Sequence, residues 1–367
     1  MQISTIGIDI GKNSVHFVGF DARGGIVVRR QCSRTQLIRA LANLPPCLVG
    51  MEACCGAHHL GRILVAQGHD VRLIPPQYVK PFVKSQKNDL LDAEAIGEAV
   101  QRPTMRFVPL KTMEQLDLQA IHRLRTRLIT RRTAVINQMR GFLLERGVAV
   151  PIGRCALGER FPDLVHSPTL GLSVRFCRLL QQLRDEWRLL DDDIDEADQE
   201  IRTLAREDAA CERLMQVPGI GPPTATALVA AVGNAAAFTK GRDLAAWLGL
   251  VPRQHSTGGK TTLRGISKRG NAYLRCLFIH GARSVCRHHR QRPHRLGRWL
   301  ASLEARAHPN VVVVALANKL VRTAGAFFSE MSATTGGSSR MRDAWSPQAT
   351  AQWRVRYTPT SASSMYR

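Results

Sequence analysis

Eight apolar residues follow an uninterrupted heptad spacing, and this pattern restricts the fold more than any other feature of the 367-residue chain. The steps alternate between three and four residues, and the members are Leu180, Leu183, Trp187, Leu190, Ile194, Ala197, Ile201 and Leu204. Such spacing keeps one apolar stripe on a single face of an α-helix. The pattern predicts a long helix that buries this stripe against a partner.

A weaker apolar series upstream is the candidate partner, and its members are Ile121, Leu124, Leu128, Val135 and Phe142. Residues 147–171 are rich in Gly and Pro and would form the connection. Together the two series predict an antiparallel coiled coil, or a dimerising arm, over residues 111–208. Two ordinary helices of a bundle are an equally good interpretation.

Residues 1–110 alternate between strand and helix patterns. Short β-branched or apolar runs predict strands at 3–9, 15–20, 25–29, 47–51 and 71–74. Helical spacing occurs at 35–44 and 57–67. Three consecutive strands followed by strand–helix alternation predict an α/β domain with a mixed sheet of the ribonuclease-H type. In that topology the first and fourth strands are neighbours.

The charge of the chain points to a polyanionic partner. Lys and Arg number 52 and Asp and Glu 29, so the formal net charge is +23. Between Lys240 and Arg298 there are 14 basic residues and one acid, Asp243. We therefore expect a mainly helical, basic domain over 209–328, followed by a disordered tail over 329–367. A ribosomal-type basic protein remains an alternative at this point.

The sequence predicts a cytoplasmic protein that does not enter a membrane. The longest apolar run, Val311 to Ala317, is far below the roughly 18 residues of a membrane span, and the N-terminus lacks the features of a signal peptide. The nine cysteines are scattered and include no CxxC pair, so we expect reduced thiols rather than a zinc site.

Acidic residues stand at the ends of two predicted strands and at the start of a helix. Asp9 ends the first strand, Glu52 ends the fourth, and Asp89 and Asp92 open a helix with a spacing that puts both on one side. Four carboxylates gathered in this way repel one another and need cations in order to remain ionised. The pattern predicts a site for two Mg²⁺ ions that would polarise a scissile phosphate.

Two other interpretations of these residues remain open. Asp9 could cap a turn, Glu52 could be solvated, and Asp89 could be a helix N-cap with Asp92 at the third helical position. The segment Gly7 to Ser14 also resembles the first phosphate loop of actin-like sugar kinases. The further glycine-rich motifs of those kinases are not found in this sequence.

The segment from Leu214 to Ala225 has the pattern of a helix–hairpin–helix. Gly219 and Gly221 permit a tight turn, and backbone N–H groups at the start of the second helix can bind a DNA phosphate. A purely structural turn between helices is the alternative.

A serine lies within a basic, glycine-rich segment downstream. Ser256 precedes Gly258 and Gly259, and the cations around it are Arg253, Lys260, Lys268 and Arg269. Ser256 could attack a phosphodiester while these cations stabilise the phosphoryl oxygens. It could instead only donate hydrogen bonds to a phosphate, since His255 is the only adjacent candidate base.

In combination these motifs resemble the DEDD insertion-sequence transposases, the family numbered one hundred and ten. The matching segments begin at Gly7, Met51, Lys87, Pro218, Trp247 and Ile266, and they read Gly-Ile-Asp-Ile-Gly-Lys, Met-Glu-Ala-Cys-Cys-Gly, Lys-Asn-Asp-Leu-Leu-Asp-Ala, Pro-Gly-Ile-Gly, Trp-Leu-Gly-Leu-Val-Pro-Arg-Gln-His-Ser-Thr-Gly-Gly-Lys and Ile-Ser-Lys-Arg-Gly-Asn. The resemblance extends to about residue 325.

The resemblance implies a RuvC-like N-terminal domain and a C-terminal domain that carries a serine. It assigns the acidic tetrad to Asp9, Glu52, Asp89 and Asp92 and the nucleophile to Ser256, in a composite site formed between subunits. It also implies a bacterial, nucleoid-associated homo-oligomer, a dimer or a tetramer, that acts on donor and target DNA. A structured non-coding RNA would select the sites by base pairing. A Holliday-junction nuclease that uses water, and a non-catalytic nucleic-acid scaffold, remain the alternatives.

Overall fold

The computed structural model describes residues 2–84, 88–233, 235, 237–289 and 295–333. The chain forms two compact units, Met1–Met113 and Glu114–Arg367, and each is described by itself. The predicted division of the second unit into an arm over 111–208 and a domain over 209–328 stays a prediction.

The first unit is a five-stranded mixed sheet with helices. Its strands are β1 (Thr5–Ile10), β2 (Val15–Phe20), β3 (Ile26–Cys32), β4 (Leu48–Glu52) and β5 (Asp70–Ile74). Its helices are α1 (Arg34–Ala42), α2 (Ala57–Ala66), the short α3 (Pro76–Val79) and α4 (Asp89–Val100), with a 3₁₀ turn at Lys80–Phe82.

The strands of the first unit lie in the order β3-β2-β1-β4-β5. The first three strands are antiparallel neighbours, whereas β1, β4 and β5 are parallel. The expectation that the first and fourth strands are neighbours is therefore correct. Since β1 and β4 are parallel, their carboxyl ends lie at the same edge of the sheet. This mixed α/β sheet fits a ribonuclease-H-like domain.

Helix α4 packs directly on the backbone of β1. A Cβ atom on Gly7 would collide with the carbonyl oxygen of Ala93 and with the backbone of Gly97, and a Cβ on Gly97 would collide with the ring of Phe20. Only glycine permits so close an approach. Two glycines therefore set the height of α4 above the sheet, and with it the height of the two aspartates in its first turn.

The second unit is mainly helical. Its helices are α5 (Met113–Leu144), α6 (Arg154–His166), α7 (Val174–Glu207), α8 (Ala209–Leu214), α9 (Pro222–Val232), α10 (Gly241–Trp247), α11 (Ala272–His289), α12 (Arg295–Glu304) and α13 (Pro309–Ala333). A 3₁₀ turn spans Pro168–Leu170, and the strands β6 (Pro252–Thr257) and β7 (Lys260–Ile266) form a hairpin.

The heptad stripe of α7 is largely buried as predicted. Six of its eight residues are buried, Leu183 is half-buried against the same core, and at the C-terminal end Ala205 is buried in place of Leu204. The predicted partner series was partly wrong, because Leu124 and Phe142 are exposed. Leu128 and Val135 of the predicted series are buried, and α5 also buries Ile136, Met139 and Leu143.

Ion pairs between α5 and α7 give their relative direction. Arg125 pairs with Asp198, Arg132 with Asp191, and Arg131 with Glu186. Positions later in α5 meet positions earlier in α7, so the two helices run antiparallel. The predicted connection over 147–171 contains the helix α6, which buries Leu157, Phe161 and Leu164 in the core that α5 and α7 share.

Helices α8 to α13 surround a second core. Its largest fully buried side chain is Phe278, and α13 contributes Val312, Leu316 and Leu320. Within the described chain, Pro309–Phe328 is the one helix apolar and long enough to cross a membrane, and half of it is buried in the protein. Packing in this core accounts for its apolar sequence. Helix α13 extends to Ala333, and the rest of the predicted tail, residues 334–367, lies outside the described part of the chain.

Candidate functional site

Three carboxylates converge at the edge where β1 ends and α4 begins. Asp9 on β1 and Asp89 and Asp92 in the first turn of α4 each offer an oxygen within 4.8 Å of the others. Glu52 ends β4 beside Asp9, since Ile8 pairs with Met51 in the parallel ladder. Glu52 is not part of the three-residue group found among the described residues, but it lies at the same sheet edge.

Helix capping does not account for Asp89 and Asp92. The N-cap of α4 is Asn88, whose side chain accepts a hydrogen bond from the Leu90 N–H at 3.0 Å. The alternative in which Asp89 caps the helix is therefore wrong. Neither aspartate is needed for the cap, so both carboxylates remain available at the sheet edge.

Burial and mutual repulsion raise the pKa of two of these carboxyls. Burial raises the pKa of Asp9 most, and the charges of Asp89 and Asp92 raise it further. Burial also raises the pKa of Glu52, with added contributions from the charges of Asp9 and Asp92. Like charges gathered without a counter-ion have this effect. The carboxylate oxygens are the ligands that Mg²⁺ and similar hard cations prefer, so the residues fit a divalent-metal site.

One residue near this group was missed in the sequence. His16 of β2 lies opposite Asp9 in the antiparallel ladder, and its Nδ1 atom is 3.7 Å from an Asp89 carboxylate oxygen. The strand alternation of 15–20 could have placed His16 on the same face as Asp9. Its position seven residues from Asp9 gave no local motif, however, and the hairpin register was needed to find it.

Ser256 lies in the strand β6, within a hairpin that is exposed except at Ile266. Gly258 and Gly259 form its two-residue turn with φ values of +55° and +77°. Both values are positive, as a type I′ turn requires, and that turn suits the twist of a hairpin. This segment was predicted to be a loop, and neither strand was predicted from the sequence.

The pairing of the hairpin separates the residues around Ser256. Ser256 pairs with Thr261, and its Oγ accepts a hydrogen bond from the Gln254 amide at 2.8 Å and lies 3.2 Å from Thr261 Oγ1. Successive strand residues point to opposite faces. His255, and the pair of Thr257 with Lys260, therefore lie on the other face. His255 is not placed to act as the base for Ser256.

The other predicted cations flank the base of this hairpin. Arg253 lies at an irregularity near the start of β6. Lys268 has a positive φ of +55°, and its N–H donates to the Gly249 carbonyl oxygen at 3.1 Å. The Arg275 guanidinium donates to the carbonyl oxygens of Leu248 and Arg269. These bonds hold the Lys268–Arg269 backbone against the turn that precedes β6, and both side chains are exposed.

The turn between α8 and α9 packs closely against α11. Gly219 has a φ of +87°, and a Cβ there would lie 2.9 Å from the Gly281 carbonyl oxygen. Pro222 and Pro223 begin α9 and have no N–H, while Thr224 and Ala225 already donate to the Gly221 carbonyl oxygen. A phosphate could therefore be bound only by backbone amides of the turn itself, at Gly219 and Gly221.

We call the group of Asp9, Glu52, Asp89 and Asp92 the acidic edge. Together with the sheet order it defines a ribonuclease-H-like enzyme of phosphoryl transfer, joined to a basic helical region. The comparisons make this class specific. Residues 6–146 match the family model of DEDD transposases, and residues 211–296 match the model described as the transposase IS116/IS110/IS902 family.

Relatives of known type are similar along most of the chain. It is 47% identical over 330 residues to a probable family 20 transposase of Pseudomonas aeruginosa, covering 90% of this chain and 98% of that protein. It is 43% identical over 323 residues to the transposase for insertion sequence element IS1328 of Yersinia enterocolitica, covering 88% and 96%. It is also 43% identical over 318 residues to the transposase for insertion sequence element IS1111A of Coxiella burnetii, covering 87% of each. The chain belongs to the IS110 family of insertion-sequence transposases, enzymes that cut and rejoin DNA.

Proposed function

We propose that this transposase exchanges DNA strands by transesterification, with Ser256 as the nucleophile and Asp9, Glu52, Asp89 and Asp92 as a divalent-metal site. The observation that carries the metal site is the convergence of three carboxylates within 4.8 Å at one sheet edge. Mg²⁺ is the ion that we expect, since the donors are all oxygens. Two bound Mg²⁺ ions would polarise the scissile phosphate and stabilise its developing charge.

Ser256 Oγ would form a bond to the phosphorus while the bond to the leaving deoxyribose oxygen breaks. The serine proton leaves to a base, and the departing sugar hydroxyl gains one. The DNA remains esterified to the protein until a hydroxyl of another strand attacks and releases the serine. Each step replaces one phosphodiester with another, so no external energy source is needed. The exposure of Ser256 on the hairpin supports this role.

The basic residues would bind the nucleic acids. Arg253, Lys260, Lys268 and Arg269 lie on or beside the exposed hairpin and can contact phosphates. We assign Gly219 and Gly221 to a phosphate contact through a helix–hairpin–helix. The backbone amides of this turn are the donors left for a phosphate, since the first turn of α9 has none to offer. A structured guide RNA would supply the sequence recognition that a backbone-binding surface lacks.

Helices α5 and α7 would form a coiled-coil arm for assembly into a dimer or a tetramer. The antiparallel ion pairs and the buried heptad stripe of α7 support the coiled coil. We expect the protein to act in the bacterial cytoplasm, at the nucleoid.

A second candidate is metal-dependent hydrolysis of junction DNA by water. It is favoured by the hydrogen-bond partners of Ser256, since neither the Gln254 amide nor the Thr261 hydroxyl is a base. In that mechanism the acidic edge alone carries out the cleavage.

The two candidates differ in the fate of a protein–DNA bond. The substrate would be a plasmid with both ends of the element and its flanking DNA, supplied with the transcript of the flanking region. We expect detergent-resistant protein–DNA adducts with the wild type and with Thr257→Ala, a matched control on the opposite face of β6. Ser256→Ala should give no adduct, and Asp9→Asn should not cleave. Strand cleavage by Ser256→Ala at the wild-type rate would establish the water mechanism instead.

A further inference from the structure

We propose that His16 is a positioning residue that holds Asp89 in place by donating a hydrogen bond from Nδ1 to its carboxylate. This inference rests on the proposed metal site and assigns that site a residue outside the acidic tetrad. His16 does not itself bind the cation.

The strand register places His16 under the acidic residues. His16 pairs directly with Asp9 across the antiparallel β1–β2 ladder. Cross-strand partners point to the same face of a sheet, so the imidazole lies on the face that carries the Asp9 side chain.

Helix α4 covers this face. Val18 and Phe20 follow His16 at two-residue intervals on β2, and they pack against Ala93 of α4 in one small core cluster. The first turn of α4 then lies over the next position along β2, which is His16. The salt-bridge geometry agrees, because His16 Nδ1 lies 3.7 Å from the Asp89 Oδ2 atom.

The imidazole of His16 lacks a hydrogen bond that a buried ring nitrogen needs. His16 is 7% exposed, and its Nδ1 is buried without a hydrogen-bond partner in the described structure. Buried polar atoms without partners are destabilising and rare. If this strand position served packing alone, an apolar side chain such as those of Val18 and Phe20 would be sufficient.

The Asp89 carboxylate is the group that can accept a hydrogen bond from His16 Nδ1. A separation of 3.7 Å is too long for a hydrogen bond. The Asp89 side chain is 54% exposed and can rotate the short distance that is needed. With one oxygen held by His16, the other stays free for a cation, and the carboxylate no longer has to be ordered when the cation binds. Partners of this kind orient metal-binding side chains.

The test compares two substitutions of His16. Asparagine places an amide N–H close to the position of Nδ1, whereas leucine fills the same space without a donor. Binding of Mn²⁺ to the full-length protein would be measured by isothermal titration without nucleic acid, together with thermal unfolding in a chelator. We expect His16→Leu to weaken Mn²⁺ binding by about 10–100-fold. Its melting temperature should change little, since leucine fills the same space and the hydrogen bond that is lost is to a largely exposed carboxylate. His16→Asn should bind nearly as the wild type does.

A double-mutant cycle identifies the partner. In an Asp89→Asn background, His16→Leu should cause no further loss of Mn²⁺ affinity. An equal loss in both backgrounds, or a lower melting temperature with unchanged affinity, would overturn the proposal. If His16→Leu does not fold, His16→Gln replaces it, since glutamine places its amide too far out to mimic Nδ1. Asp9→Asn tests the proposed function separately: normal Mn²⁺ binding by that variant would reject the metal site itself.

Discussion

Gly7 of β1 and Gly97 of α4 are in direct backbone contact, and a Cβ atom on Gly7 would lie 2.7 Å from the Gly97 Cα atom. This contact sets the distance between Asp9 on the strand and the aspartates at the start of the helix. We expect Gly7→Ala to destabilise the protein by about 1–3 kcal/mol, because the helix must move away from the sheet. At a temperature where the variant is still folded, DNA cleavage should fall on the order of 100-fold, since small displacements of reacting groups have effects of this size.

Gly141 in α5 provides the control for that substitution. A Cβ there would meet nothing within 4 Å. Gly141→Ala should stabilise the protein by about 0.5–1 kcal/mol, as expected for an open helix interior. Chemical denaturation of both variants would measure the contrast, and equal effects at the two sites would exclude close packing as the cause.

The acidic edge should reduce stability in the absence of metal. Folding raises the pKa of Asp9 and Glu52, so the folded state keeps protons to a higher pH than the unfolded state does. The free energy of unfolding therefore falls as the pH rises from the ordinary carboxyl pKa through the raised one. We expect Asp9→Asn to raise the free energy of unfolding by roughly 0.5–2 kcal/mol at neutral pH in a chelator, while it abolishes DNA cleavage.

Asp21 is the matched acid for this prediction. Its carboxylate accepts hydrogen bonds from the Arg23 and Gly25 N–H groups in the β2–β3 turn. Asp21→Asn removes no repulsion and should not raise the stability at any pH. Urea denaturation from pH 4 to 8 would compare the two variants, and a pH-independent difference between Asp9→Asn and the wild type would refute the explanation.

His122 should make the second unit sensitive to acid. It is buried between Tyr273 and Thr226, with ring nitrogens 3.0 and 2.9 Å from their hydroxyl oxygens. Burial, with a smaller contribution from the charge of Arg125, lowers its pKa to about 4. Because the unfolded state binds the proton first, stability is complete above about pH 6.5 and decreases as the pH falls towards 4. The loss should be on the order of 3 kcal/mol at pH 4. His122→Gln should lack this component when unfolding is followed between pH 7 and 4.

Two ion pairs between α5 and α7 should differ greatly in importance. The pair of Arg125 with Asp198 is almost fully buried, whereas Arg131 and Glu186 are about half exposed. Asp198→Asn should cost about 3–5 kcal/mol, because it removes the negative charge of Asp198 from beside a buried guanidinium. Glu186→Gln should cost at most about 1 kcal/mol. Thermal unfolding of the two variants would test this, and similar losses would mean that α5 and α7 separate before the rest of the unit unfolds.

The elements that were predicted from the sequence share a strong periodic pattern with burial to match. The strands β1, β2 and β4 and the stripe of α7 were found because their apolar residues recur at the right period. Helix α6 was missed because Pro162 interrupts a segment rich in glycine. The hairpin that carries Ser256 was missed because its strands are exposed and polar, although the Gly-Gly pair between Thr257 and Lys260 is a hairpin signal.

The acidic edge was predictable and the role of His16 was not, for a related reason. Asp9 and Glu52 each end an apolar run, so parallel pairing alone brings them to one edge. His16 lies close to Asp89 only because of the register of β1 with β2 and because α4 packs closely on β1. Neither feature follows from the local sequence. The partner series in α5 was misassigned because the polar residues His122 and Arg125 are buried there, where an apolar stripe was expected.

The basic hairpin should dominate the salt dependence of nucleic-acid binding. Arg253 and Lys260 are exposed on the hairpin, and each neutralised phosphate releases counter-ions when the complex forms. Arg253→Ala and Lys260→Ala should each reduce the slope of log affinity against log salt by about 1, with little change in preference among DNA sequences. Arg23→Ala is the control, because the turn between β2 and β3 lies at the opposite end of β1 from Asp9. Fluorescence anisotropy with duplex DNA between about 50 and 200 mM salt would measure the slopes. An unchanged slope in both hairpin variants would show that the hairpin does not contact the phosphate backbone.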